Sequence, residues 1–260
     1  MLRVTDLALS YGATPVLEGV GMEVEDGEFV SLVGPSGSGK STILRAIIGL
    51  QAPSAGKVEL GVAKDKIGFL FQDDALLPWR RAAENVALGL RLRGMAKADA
   101  LARAEEWLGR LGLHGFGARY PRELSGGQRK RVALAQVLAL EPQLLLMDEP
   151  FSALDAITRA RLSQDLLKLV EDHRLSVLLV THDLEEALAL SDNVYLLSRG
   201  PKARIAGQYP VPIPRPRDII KARTHPEFGP LLERIWQNLS REVVGEPGKD
   251  EQWAGFSIGL

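Results

Sequence analysis

A glycine-rich segment flanked by an apolar run and a helix-like run constrains this chain more than any other part of it. Residues 29–33 are apolar apart from one serine, and they lead into Gly34-Pro35-Ser36-Gly37-Ser38-Gly39-Lys40-Ser41-Thr42. This segment fits G-x-x-x-x-G-K-[ST], in which glycines let backbone amides face phosphate oxygens and the lysine adds positive charge. A helix predicted over residues 40–50 would aim its positive end at the same anion. The sequence therefore predicts a nucleoside triphosphate site in which Ser41 ligates magnesium. The flanking strand and helix disfavour the alternative of a glycine-rich turn without a ligand.

Composition narrows the class of protein. The chain has 260 residues, of which 45% are hydrophobic and 25% charged, enough for one large domain with a substantial core. The absence of cysteine excludes disulfides and thiolate metal sites. A net charge of −1 gives no overall attraction for nucleic acid, and no nucleic-acid partner is expected. No run of 18 apolar residues is present, so we expect a soluble chain whose membrane role, if any, comes through a partner.

The order of periodic segments predicts an α/β fold. Strand-like runs come first, at residues 2–9, 16–24, 29–33, 57–60 and 67–71. Helical periodicity follows at residues 83–92, 98–111 and 127–140. Strand-like and helix-like runs then alternate, at residues 144–147, 156–173, 176–180, 184–190 and 194–198. Such alternation is typical of a parallel sheet covered by helices. We therefore predict a β-rich core with a helical lobe inserted at about residues 74–140.

Two carboxylates end one apolar strand. Leu144-Leu145-Leu146-Met147 is followed directly by Asp148 and Glu149. Functional groups of open α/β sheets lie at the carboxyl ends of strands. Asp148 is therefore a candidate magnesium ligand, and Glu149 a candidate base that polarises the attacking water. With the phosphate loop upstream, we favour this interpretation over a strand that simply ends in solvent.

A second candidate anion site lies in the middle of the chain. Ser125 is a good helix N-cap within Leu124-Ser125-Gly126-Gly127-Gln128, and two glycines at a helix start expose amides. The next three residues, 129–131, are all cationic. Cations in a first turn oppose the helix dipole, so we expect negative groups nearby. A single chain that binds one nucleotide does not need two phosphate-binding segments of this kind.

Together these segments resemble the ATP-binding subunits of ABC transporters over roughly residues 1–210. The resemblance rests on the two glycine-rich segments, the Asp148-Glu149 strand end, Ser152-Ala153-Leu154-Asp155 and Thr181-His182-Asp183. It implies a P-loop ABC ATPase fold with a RecA-like core lobe and an inserted helical lobe. It also implies that two copies pair head to tail, with each ATP held between the phosphate loop of one copy and residues 125–128 of the other.

The same resemblance suggests residue roles. It assigns Tyr11 to stacking on adenine and Gln72 to sensing magnesium and the attacking water. Ser125, Gly126, Gly127 and Gln128 would meet the nucleotide across the dimer, and Asp155 would bridge the two sites. His182 would hold the γ-phosphate near Glu149, although a lone histidine after a strand is more often structural.

A finer resemblance is to importers of nitrate, sulfonate and taurine. It rests on residues 72–79, residues 148–155 and the segment 212–218. Such a subunit would lie on the cytoplasmic face of the inner membrane, bound to an integral membrane permease and served indirectly by a periplasmic solute-binding protein. Residues 73–95 would receive a short permease helix. The alternative is that Leu76, Leu77 and Trp79 merely cover the helical lobe.

The chain beyond residue 210 is harder to interpret. Prolines at 210, 212, 214 and 216 predict an extended connection. Leu231, Leu232, Ile235, Trp236 and Leu239 then lie on one predicted helical face that docks on the core. Residues 245–260 are predicted to be mobile. We therefore divide the chain into an ATPase domain, 1–210, and a connection with a C-terminal helix and tail, 211–260.

Two other classes remain open: a non-transport ABC ATPase, of DNA maintenance or of iron-sulfur assembly, and an exporter subunit. An ABC ATPase of DNA maintenance would carry long coiled-coil insertions, whereas only about 85 residues separate Lys40 from Ser125. A scaffold for iron-sulfur assembly would bind soluble partners only. An exporter subunit is the other alternative.

Overall fold

The computed structural model describes residues 1–244 and contains two sheets. The smaller sheet is antiparallel with strand order β2-β1-β4. Its strands are β1 (Leu2–Tyr11), β2 (Thr14–Val24) and β4 (Ala55–Leu60). β1 and β2 form a hairpin whose last pair joins Tyr11 to Thr14.

The larger sheet has six strands in the order β5-β6-β7-β3-β8-β9. Its strands are β3 (Phe29–Val33), β5 (Ile67–Leu70), β6 (Leu144–Asp148), β7 (Ser176–Val180), β8 (Asn193–Leu197) and β9 (Ile205–Pro210). All neighbours are parallel except β8 and β9. Every residue of β3, β6 and β7 is buried, as expected of parallel strands covered on both faces. The prediction of a parallel sheet with covering helices is confirmed.

Eight α-helices accompany the sheets within residues 1–244. They are α1 (Lys40–Ile47), α2 (Ala82–Leu92), α3 (Lys97–Arg110), α4 (Gly126–Leu138), α5 (Ala156–His173), α6 (Leu184–Leu190), α7 (Ile219–Ala222) and α8 (Phe228–Val244). No helix in this part of the chain is both long and apolar enough to cross a membrane.

Alternate residues of the central strands pack into two different hydrophobic cores, one on each face of the larger sheet. Val30 and Leu32 of β3 face α1 and the small sheet. Phe29 and Val33 face the other way, into a core shared with α2 to α6 and α8. The helical segment around α2, α3 and α4 therefore shares a core with the sheet instead of having its own.

The structure corrects the C-terminal predictions in two places. No strand was predicted at residues 205–210, yet this segment forms β9, because its backbone pairs with the open edge of β8. The prediction for Trp236 is wrong. Leu231 and Ile235 are buried, but Trp236 is 60% exposed, since it lies about 100° around α8 from Ile235. The predicted mobility of residues 245–260 lies outside the described residues.

Candidate functional site

The phosphate loop joins β3 to α1 and has the backbone that only glycine adopts easily. Gly39 has φ of +98°, and a Cβ atom there would lie within 3 Å of the side chains of Val16 and Leu17. Gly37 also has a positive φ, of +75°, and faces open space. The hairpin of β1 and β2 therefore packs directly against the loop, which places exposed Tyr11 at the same end of the molecule.

Two buried side chains of the phosphate loop, Lys40 and Ser38, lack a complete set of hydrogen-bond partners within residues 1–244. Lys40 is buried, and its Nζ donates only to the carbonyl oxygens of Gly34 and Pro35, at 2.9 and 2.8 Å. Burial lowers the pKa of Lys40, while Glu149 and Asp148 oppose that shift. The hydroxyl of Ser38 is buried with no hydrogen-bond partner in the described chain. A cation and an unpaired hydroxyl beside glycine amides fit a bound phosphate group.

Ser41 and Asp148 are joined across the site. The Ser41 hydroxyl donates to Oδ1 of Asp148 at 2.9 Å. Burial raises the pKa of the Asp148 carboxyl, and the bond from Ser41 partly counters this. A hydroxyl and a carboxylate next to a phosphate site are oxygen ligands of the kind that Mg²⁺ takes. The residues present therefore fit the predicted magnesium site.

Glu149 has an unusual backbone for its residue type. Its φ is +42°, in the left-handed region, and its amide donates to the carbonyl of Val180 at 2.9 Å. Such a conformation costs about 1–3 kcal/mol in a residue other than glycine. The side chain thereby reaches His182, whose Nδ1 lies 3.1 Å from Oε2 of Glu149. The predicted base and the predicted γ-phosphate ligand are thus neighbours.

Gln72 lies at the same edge of the sheet. It follows β5 by two residues, and Leu70 of β5 pairs with Met147 of β6. Its side chain is exposed and makes no hydrogen bond within residues 1–244, whereas its carbonyl oxygen accepts a bond from Lys130 at 2.9 Å. The structure therefore brings Gln72 to the end of the neighbouring strand, but among residues 1–244 no hydrogen bond joins its side chain to Asp148 or Glu149.

The second glycine-rich segment caps α4 and lies apart from the phosphate loop. Ser125 and Gln128 form a reciprocal capping box, with Ser125 Oγ accepting from the Gln128 amide and Gln128 Oε1 accepting from the Ser125 amide. Gly127 packs on Thr158 of α5, where a Cβ atom would lie 2.6 Å from a methyl group. In residues 1–244, no hydrogen bond joins residues 125–128 to the phosphate loop.

The cations that follow this segment have partners inside the chain. Arg129 and Lys130 both pair with Asp74, at 3.2 and 3.1 Å, and Arg131 pairs with Asp165 at 2.7 Å. The negative groups expected from the sequence are therefore aspartates of this chain. Because these cations are already paired, they do not support a second phosphate-binding site. The prediction of such a site now rests only on the capped, glycine-rich start of α4.

Asp155 has a local role in the structure. Its side chain accepts the amides of Ile157 and Thr158 as the N-cap of α5, and these bonds, chiefly that from Thr158, lower its pKa. It is exposed at the surface, so its predicted role between two copies stays a prediction.

Sequence reasoning missed the residues that support His182. Asp183 caps α6 by accepting the amide of Glu186, and the hydroxyl of Thr181 donates to the buried Glu186 carboxylate. Arg159 of α5 pairs with Asp183 at 3.0 Å. The spacing of Asp183 and Glu186 matches a capping box and could have indicated the first of these roles. Nothing in the sequence pattern indicated Arg159.

A parallel sheet, a phosphate loop and two acidic strand-end residues define a P-loop nucleoside triphosphatase. Comparison with known proteins makes this more specific. Residues 17–152 match the model of the ABC transporter family. The chain belongs to this family and is an ATP-binding, ATP-hydrolysing subunit of the ABC type.

Curated relatives match nearly the whole chain. It is 46% identical over 252 residues to an aliphatic sulfonates import ATP-binding protein of Nocardia farcinica, covering 97% of this chain and 99% of the relative. Identity to the corresponding protein of Mesorhizobium japonicum is 44% over 243 residues, covering 94% and 93%. The taurine import ATP-binding protein of Escherichia coli O157:H7 is 45% identical over 207 residues, covering 77% and 81%.

Solved structures agree with this assignment. The chain is similar to the dimeric structure of MJ0796, described as a bacterial ABC transporter cassette, with a TM-score of 0.72 and 33% identity. The match covers 81% of this chain and 99% of that one. A second dimeric structure of the same cassette, in a post-hydrolysis state with ADP and phosphate, has a TM-score of 0.71.

Proposed function

We propose that this chain powers the import of aliphatic sulfonates, including taurine, through an ABC transporter of the inner membrane. The observation that carries the proposal is an identity of about 45% to sulfonate and taurine import subunits, extending over almost the whole chain for the sulfonate proteins. The segment around Trp79 supports it, because residues 72–79 resemble this importer group.

A bound nucleotide would give a role to most of the polar residues predicted for this site. Lys40 neutralises β- and γ-phosphate oxygens, and the amides of residues 37–42 bind the same phosphates. Ser41 and Asp148 would hold Mg²⁺, which when bound would offset the negative charge of the phosphate oxygens. Glu149 orients and deprotonates the attacking water, while His182 and Gln72 lie at the γ-phosphate end of the site. Tyr11 stacks on adenine.

A second copy of this chain completes the site. Residues 125–128 make no hydrogen bond to the phosphate loop of their own chain, although their capped helix start suits an anion. A head-to-tail dimer would bring them to the nucleotide held by the other copy, with Asp155 between the two sites. The dimeric state of the similar cassette supports this arrangement.

The permease would dock on residues 73–95. Asn85 is fully buried and fixes the preceding loop, since its side chain bonds to backbone groups of Leu77, Arg80 and Arg81. This rigid loop presents Trp79, which is 70% exposed. An exposed tryptophan on a fixed loop suits an apolar partner helix. The subunit would thus be held at the cytoplasmic face, and a periplasmic solute-binding protein would deliver the solute to the permease.

Solute uptake tests this proposal. A strain lacking the gene is complemented with the parent gene or with a Lys40→Ala variant, and uptake of labelled taurine, ethanesulfonate and nitrate is measured. We expect the parent alone to restore uptake of the two sulfonates. Restoration of nitrate uptake only would contradict the proposed solute, and faster efflux in place of uptake would indicate an exporter.

A further inference from the structure

The turn that carries His182 is fixed from two sides. It consists of Thr181, His182 and Asp183, between the end of β7 and the start of α6. From α6, the buried Glu186 accepts a bond from the Thr181 hydroxyl at 2.7 Å, and its amide donates to Asp183 Oδ1 at 3.0 Å. From α5, Arg159 donates to Asp183 Oδ2 at 3.0 Å. Within residues 1–244, the only hydrogen bond of the His182 ring is with Glu149, so the position of the ring depends largely on this turn.

Arg159 also contacts a second functional segment. Its Nη2 donates to the carbonyl oxygen of Leu154 at 3.1 Å, immediately before Asp155. One planar guanidinium therefore joins the residue before Asp155 to the residue after His182. Leu154 and Asp183 are 29 positions apart along the chain, and Asp155 is the residue proposed to face the second copy.

Helix stability does not explain a cation at this position. Arg159 lies in the first turn of α5, where its amide bonds to the carbonyl of Asp155 and where the helix dipole disfavours positive charge. Its ion pair with Asp183 is about one-third exposed on both sides, and such pairs add little to stability. The two bonds of Arg159 instead hold the Leu154-Asp155 turn and the His182 turn in a fixed position relative to each other.

We infer that Arg159 is a positioning residue, which sets the place of His182 relative to the Leu154-Asp155 turn through its bonds to Leu154 and Asp183. When a second copy contacts Asp155, the Leu154-Asp155 turn would become fixed in position. The guanidinium of Arg159 would then fix the His182 turn, which lies beside the proposed γ-phosphate position. Without Arg159, the turn would keep its bonds to α6 and the backbone bond from Thr181 to Leu32 of β3, but it would lose its link to α5. The inference rests on the proposed role of His182 in hydrolysis.

The test measures ATP turnover by the purified full-length chain with Mg²⁺. Arg159→Gln removes the charge and the fork but keeps an amide of similar reach. We expect kcat to fall by roughly tenfold to a hundredfold, as for misplaced catalytic groups, with KM for ATP nearly unchanged. The matched control is Arg161→Gln, because Arg161 is exposed on the same helix and has no ion pair within residues 1–244. It should hydrolyse ATP like the parent.

A double-mutant cycle separates positioning from a general structural effect. In a His182→Ala background, Arg159→Gln should cause no further loss, because both changes remove the same contribution. An equal fold-loss in both backgrounds, or parent activity of Arg159→Gln, would overturn the inference. Parent activity of His182→Ala would instead overturn the proposed role of His182, and the inference with it.

Asp183→Asn provides a second test that preserves folding. It keeps an oxygen that can cap α6 but removes the charge that Arg159 contacts. We expect a smaller loss of kcat than for Arg159→Gln, and no addition when the two changes are combined. Additive losses would show that the two side chains act separately and would count against the inference.

Discussion

At the scale of single residues, Glu149 combines backbone strain with the proposed role of catalytic base. Its left-handed backbone follows a buried strand, and its amide is bonded to the neighbouring strand at Val180. The hydroxyl of Ser152 also donates to its carbonyl oxygen, at 3.1 Å. These bonds hold the strained conformation, which points the carboxylate at His182 instead of continuing the strand alternation.

Glu149→Gln should therefore separate binding from chemistry. The amide keeps the size and hydrogen bonding of the carboxylate but cannot take a proton, so we expect hydrolysis to slow by roughly 10²- to 10⁴-fold while ATP still binds. Because ATP would close the dimer and hydrolysis would reopen it, the variant should accumulate as an ATP-bound dimer. Gel filtration with Mg²⁺ and ATP measures this. If the variant binds ATP but stays monomeric, or still hydrolyses ATP quickly, then a group other than Glu149 acts as the base.

At the scale of elements, α6 contains a buried acid whose ionisation opposes folding. Glu186 is 8% exposed, and its Oε1 has no hydrogen-bond partner in the described chain. Burial raises its pKa from 4.5 to about 7, with the Thr181 bond acting in the opposite direction. Asp183 adds to the rise, while Arg159 and His182 reduce it. The folded state thus holds a proton that the unfolded chain releases near pH 4.5.

This difference predicts how Glu186→Gln changes stability with pH. Between pH 4.5 and 7 the folded parent binds more protons than the unfolded chain, so its stability falls as pH rises and then levels off. The neutral amide avoids that loss, which amounts to about 3 kcal/mol at most. We expect the melting temperature of the variant to exceed that of the parent by several degrees at pH 8 and to equal it near pH 4.5.

The neighbouring Glu185 offers a matched control for this experiment. Its side chain is half-exposed and pairs with Arg223 at 3.4 Å. Glu185→Gln should therefore leave the pH dependence of melting unchanged. If Glu186→Gln melts like the parent at pH 8, Glu186 is not held in its protonated form by the fold.

At the scale of the whole molecule, one chain carries two half-sites. The phosphate loop, Asp148, Glu149 and His182 meet at the carboxyl ends of neighbouring strands. Residues 125–128 cap α4 and pack against α5. In the proposed head-to-tail dimer, both halves would be used twice and two nucleotides would be enclosed.

Mixing two inactive variants tests this arrangement. Lys40→Ala impairs the phosphate loop, and Ser125→Arg fills the opposite half-site. Each variant alone should lack turnover, because every site in its dimers is damaged. In a mixed dimer, one site combines the intact loop of one copy with the intact residues 125–128 of the other, so partial activity should return. The readout is ATP turnover against mixing ratio. No recovery, or a rate strictly proportional to protein concentration in dilute solution, would contradict a shared site.

Features that depend on local spacing could be predicted from the sequence alone. Glycine freedom and loop length define the phosphate loop around Lys40, and the alternation of apolar runs predicts the parallel sheet. Asp148 and Glu149 were identified because strand ends carry functional groups in such sheets. The bounds of β3, β7, α5 and α6 were also predicted correctly.

The remaining features could not be predicted in this way, because they join positions that are far apart in the chain. β9 forms because β8 offers an open edge, and the aspartate partners of Arg129 and Arg131 come from other segments. The left-handed backbone of Glu149 is maintained by its neighbours, since its own residue type disfavours it. The bridge made by Arg159 likewise needs the first turn of α5 to lie within hydrogen-bond distance of Asp183, which is 24 positions further along the chain. Local pattern carries no information on such contacts, whose energies exist only once the sheet has assembled.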